Sequence, residues 1–150
     1  MNTNISLRVV AALAVLVSAL VHLRLWLDGM RHLHVVGPAF LVNVIAGVVI
    51  AVLLLLWRSW VPPFLAAGFG ASTILAFVIS TTVGLFGFHE HWVGPYVWVA
   101  FVAEVVAVVA GSAALVRETR LSTRTAGSGP RGGRQVQAGS GRSPDAGHRA

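Results

Sequence analysis

Residues 37–57 read GPAFLVNVIAGVVIAVLLLLW, a run without one charged side chain. At 1.5 Å of helical rise per residue it extends about 31 Å, the thickness of a bilayer's hydrocarbon core. Hydrocarbon offers the backbone no partner, so such a run must satisfy itself as a helix. Three further runs match it, at about 5–27, 62–85 and 94–116. Pro38, Pro62-Pro63 and Pro95 stand where three of the four helices would start. A proline in the first turn lacks only an amide that would have no helical partner. The fold these runs predict is all-α: a four-transmembrane-helix bundle over residues 1–117, followed by a basic tail over 118–150.

Composition agrees with that reading. The chain has 150 residues, 56% of them hydrophobic and only 11% charged, against about 25% charged in soluble domains. Mean hydropathy is +0.79. There is no cysteine, which excludes disulfides, thiolate metal sites and cysteine catalysis. The net charge of +6 suggests nucleic acid until its distribution is seen. Arg117, Arg120, Arg124, Arg131, Arg134, Arg142 and Arg149 all follow Val116, with only Glu118 and Asp145 against them. The body before them is nearly neutral. A basic tail beside an apolar body fits anionic lipid at a membrane surface, and no nucleic acid. From 122 onward Gly, Ser, Arg, Pro and Ala dominate, too little apolar surface to offset ordering entropy, so the tail is expected to be disordered.

The same arginines orient the chain. A positive tail is expected on the cytoplasmic side of a cell membrane, and four crossings bring the N-terminus with Arg8 to that side as well. Trp57 and Trp60 would then mark the inner interface, and Trp26, Trp92 and Trp98 the outer one. Arg24 and Arg31 fall on the outer side, against the rule. The first run stays apolar past Val17-Ser18-Ala19 to Leu27, and Arg8 is the one basic residue before it. Both features favour a retained helix over a cleaved signal peptide.

An internal repeat is superimposed on this plan. His32-Leu33-His34-Val35-Val36-Gly37-Pro38 and His89-Glu90-His91-Trp92-Val93-Gly94-Pro95 share the pattern H-x-H-x-V-G-P at an offset of 57 residues. The same offset places the first run on the third and the second on the fourth, as two tandem helical hairpins would. One reading makes this architecture alone, with interfacial histidines. The other makes His32, His34, His89 and His91 the ligands of an outer-face site. Residues i and i+2 of an extended segment point the same way, and neutral imidazole binds Zn, Cu(II) and other transition metals. Asp28 and Glu90 would support those ligands. Haem fits the pattern less well, and the same histidines would suit pH sensing.

Glu104 sits about 15 Å into the fourth run at helical rise. A carboxylate near mid-bilayer is costly and is expected to face the bundle interior. Asn43, His22 and Arg24 are its expected partners, with Ser80, Thr81 and Thr82 as further polar groups. A purely structural Glu104 would be a protonated side chain hydrogen-bonded to a neighbouring helix. Small residues four apart (Ala14 and Ser18, Gly47 and Ala51, Ala66 and Gly70, Gly68 and Ser72, Ala107 and Gly111) would allow close helix crossings, within one bundle or between copies. Gly84 and Gly87 should break the third helix. No phosphate-binding glycine loop, H-E-x-x-H helix or G-x-S-x-G elbow is present, so the chain is read as non-enzymatic.

The elements His22-Leu23-Arg24-Leu25-Trp26, Gly37-Pro38-Ala39-Phe40-Leu41 and Gly84-Leu85-Phe86-Gly87-Phe88-His89-Glu90 resemble small four-span bacterial integral membrane proteins of unknown function. The resemblance covers residues 9–116 and implies a multi-pass membrane protein, with no activity to transfer. The size is also similar to small multidrug transporters, which carry their essential glutamate in the first helix. Here that helix has none, and Glu104 lies in the fourth. Three functions follow as expectations. The first is a histidine site for metal or protons, and the second a proton-coupled small transporter or channel subunit using Glu104. The third is an accessory or scaffold subunit of a larger membrane complex.

Overall fold

The computed structural model describes residues 3–84 and 94–127. Among them the chain is all-helical: α1 Thr3–Leu27, a 3-10 turn Met30–His32, α2 Val36–Leu56, α3 Val61–Thr82 and α4 Pro95–Gly127. All four α-helices are long and apolar enough to cross a membrane, which is compatible with a multi-pass membrane protein.

The helix ends follow the local sequence. Pro62 and Pro63 occupy the first turn of α3, and α4 opens on Pro95 after Gly94 at φ 97°. α3 stops at Thr82, three residues before the end of its apolar run. Gly84 takes φ 82°, and its amide joins that of Val83 on the Ile79 carbonyl. That positive φ is open to glycine and strained for other residues. α4 differs most from expectation. The span expected to end at 116 continues as helix to Gly127, through the first ten residues assigned to the disordered tail. Glu118 is tied to Arg8 of α1, which holds the first extra turn. Thr119, Ser122 and Thr123 then direct their hydroxyls to carbonyls three or four residues back. The disorder expected for 128–150 concerns residues outside the described ones.

α1 packs along both α2 and α4, and α3 along α4, while α2 and α3 touch sparingly. The core is built largely of alanine: Ala11, Ala14, Ala66, Ala107 and Ala110 are buried with Val15, Leu54 and Phe69. Small side chains let the helix axes approach. At Gly47 a Cβ would stand 2.9 Å from Ala19 Cβ, and at Gly70 one would stand 2.5 Å from the Glu104 carbonyl oxygen. Of the expected small-residue pairs, Gly68–Ser72 is not used in this way, since Gly68 has open space beside it. The large apolar side chains point outward instead, among them Leu13, Leu20, Val42, Leu56, Leu75 and Val109. Water would penalise such a surface; lipid would not.

The end of the bundle at the 57–60 turn is closed by Arg8, only 6% exposed. Its guanidinium donates to the carbonyls of Leu54 (2.8 Å), Ser59 (3.2 Å) and Trp57, and to the Glu118 carboxylate. Leu54 lies in the last turn of α2, where carbonyls lack helical partners, so a cation is well placed there.

Candidate functional site

Toward the 28–35 loop the four helices enclose a cavity of about 380 Å³. The C-terminal part of α1, the N-terminal half of α2, the C-terminal half of α3 and the start of α4 form its walls. Its lining is mostly apolar and aromatic, with Phe40, Phe69, Phe77 and Phe101 contributed by three helices. The polar exceptions are His22, Asn43, Ser72, Thr73, Ser80 and Glu104.

Among the described residues Glu104 is the most buried acid, 3% exposed. It lies nine residues after Pro95, and Ser18 lies nine residues before Leu27. At helical rise both are about 14 Å from that end of the bundle, so antiparallel α1 and α4 bring them level. Ser18 Oγ donates to Glu104 Oε1 at 3.1 Å. His22, one turn further along α1, holds Nε2 4.0 Å from the same oxygen. Its Nδ1 sits 2.8 Å from the Ser18 carbonyl and 3.4 Å from Ser18 Oγ. Nδ1–H donating to that carbonyl leaves Nε2 as the ring atom facing Glu104. The imidazole also stands against Phe40 of α2, ring centroids 5.0 Å apart. From the other side α3 presses on the Glu104 backbone at Gly70, where the absent side chain allows the approach. α1 therefore engages the Glu104 carboxylate directly, and α3 packs against its backbone.

Of the four intramembrane polar residues read from the sequence, the structure brings three to this cavity: Glu104, His22 and Asn43. Asn43 lines the wall from α2. Arg24 is placed elsewhere. It is half-exposed and pairs with Asp28 at 3.1 Å, one turn on, so Asp28 is engaged as well. Ser18 is the site residue that sequence reasoning missed. In the sequence it stands among the small residues and within Val17-Ser18-Ala19, although Ser18 and His22 are four apart, the spacing that aligns two side chains on one helix face. Ser80 is buried at the cavity wall, whereas Thr81 is half-buried and Thr82 exposed, and both bond back to Val78.

The histidine pairs are only half within view. His89, His91 and Glu90 lie outside the described residues. His32 falls in the 3-10 turn and Leu33 is extended. The segment is therefore not the continuous extended run that would point both imidazoles one way. His32 and His34 are exposed, and His32 Nε2 accepts from Arg31 Nε at 3.2 Å. Among the described residues no three His, Asp or Glu side chains form a group able to hold a metal.

Compared with protein-family models, curated proteins and solved structures, the chain finds no match.

Proposed function

We propose that this chain is a multi-pass cell-membrane protein of two tandem helical hairpins, with both termini cytoplasmic, and that it acts as a small proton-coupled transporter. Glu104 is the residue that takes up and releases the proton. The observation that carries this reading is a nearly fully buried carboxylate about 14 Å in from one end of the bundle, held by Ser18 and facing a cavity large enough for a small molecule. A purely structural glutamate between helices needs a partner and no cavity. His22 Nε2 stands 4.0 Å from the same carboxylate oxygen. The H-x-H-x-V-G-P repeat supports the hairpin duplication, and the arginine distribution supports the orientation and contact of the basic end with anionic lipid. A metal or proton-sensing site at His32, His34, His89 and His91 has the motif as its support, and the cavity has geometry besides.

Infrared difference spectra of the protein in bilayers, taken between acid and alkaline buffer, test the proposal. A protonated-carboxyl band that titrates in the wild type and vanishes in Glu104→Gln is the expected result. A band set identical in the two proteins would overturn it.

A further inference from the structure

We infer that the cavity takes a membrane-soluble organic amine as its cation, an apolar ring-sized body bearing one protonated nitrogen. The inference rests on the reading of Glu104 as the proton-exchanging group. Three observations lead to it.

The first is charge. Among the described residues Glu104 is the one acid lining the cavity, His22 is the one other ionisable group, and no arginine reaches it. Arg24 is tied to Asp28 at the surface, and Arg8 is tied to Glu118 at the far end. An anion would meet a carboxylate with no counter-charge. A neutral ligand would leave Glu104 protonated and displace no proton, so it would not couple to the exchange. An ammonium group supplies both the charge and the N–H donor.

The second is the wall. Phe40, Phe69, Phe77 and Phe101 offer aromatic rings from α2, α3 and α4. Such rings attract a desolvated cation and accommodate flat apolar bodies. The volume, about 380 Å³, lies at the small end of pockets that hold drug-sized ligands.

The third is the way in. α2 and α3 both line the cavity yet touch sparingly. Both helices contribute small side chains to the lining, Ala39 and Ala46 from α2, Ser72 and Ala76 from α3. Small residues normally let helices close together; here the seam stays parted. In a bilayer the space beside that seam is hydrocarbon, so the ligand is one that dissolves there. On binding, the Glu104 O–H bond breaks, its proton leaves to water, and the carboxylate keeps the electron pair and accepts the ammonium N–H. One proton leaves for each cation that enters, and the cavity's net charge is unchanged.

Three flat probes of matched shape test this: an aminoacridine cation, neutral anthracene and anthracene carboxylate. Each is titrated, with fluorescence as readout, into the full chain in phosphatidylcholine nanodiscs. Saturable binding of the cation alone is expected. Glu104→Gln should weaken it at least about tenfold, the cost of one charge-assisted hydrogen bond. Ala76→Phe, which fills the cavity, should abolish it while leaving the Glu104 infrared band in place. Absent cation binding, equal binding of either other probe, or unchanged affinity in Glu104→Gln overturns the ligand class with the infrared band intact. Loss of the infrared difference between wild type and Glu104→Gln overturns the proton reading, and the amine goes with it.

Discussion

Among the described residues Glu104 and Arg8 are the two most costly side chains to bury, and each is solved differently. Glu104 has a hydroxyl, Ser18, and an imidazole near it. Hydrogen bonds between helices in lipid contribute on the order of 0.5–1.5 kcal/mol. Ser18→Ala is expected to lower stability by about that much, read as a lower midpoint of thermal unfolding in detergent. Arg8 meets three carbonyls and a carboxylate. Removing one partner of a buried pair costs about 3–5 kcal/mol because the other is stranded. Arg8→Ala should therefore destabilise far more than Ser18→Ala, and a double-mutant cycle with Glu118→Ala should show coupling. Additive effects in that cycle would mean the pair is not a unit. Glu104 was legible in the sequence because a charge in an apolar run is conspicuous. Ser18 was not, because in a chain so rich in Ala and Gly a serine reads as one more small residue. The Arg8–Glu118 pair joins residues 110 apart, and nothing local announces it.

At the scale of the helix, the apolar runs and their leading prolines located four elements well. The start of α2 moved by one residue, and the end of α3 by three. The end of α4 was not legible, because hydropathy records where lipid stops and the backbone's hydrogen-bond ladder need not stop there. Helix crossings were legible only as spacings. Gly70 and Gly68 look equivalent in sequence, yet one faces the Glu104 backbone and the other faces open space. This difference gives a paired prediction. Gly70→Ala forces α3 off α4 and should cost about 1–3 kcal/mol, as overpacking does. Gly68→Ala should be neutral or stabilise by up to about 1 kcal/mol, from helix propensity alone. Chemical unfolding of the two variants side by side checks it. Gly70→Ala should also diminish aminoacridine binding, since the same contact seats Glu104.

For the whole molecule, the absence of cysteine makes single-cysteine labelling clean. Ser59→Cys and Ser122→Cys should react with an impermeant maleimide from one face of the membrane, and Gly29→Cys from the other. Labelling of Ser59→Cys and Gly29→Cys from the same face would reject four crossings. What no residue pattern foretold is that the α1–α4 seam is tightly packed while the α2–α3 seam is not. Under a tandem duplication these two seams correspond, so the difference comes from side chains the repeat does not share, Glu104 and Ser18 among them. Arg8 adds a mechanical side to this. By gripping the carbonyls at the end of α2 and in the 57–60 turn, it makes that end a pivot for α2 and α3. Any further parting of the two helices is then angular, with travel that grows along their length. A tilt of about 10° about that pivot carries the far end of a 21-residue helix such as α2 through about 5 Å. Leverage of this kind puts the widest excursion beside His22 and Phe40 and almost none at Leu54.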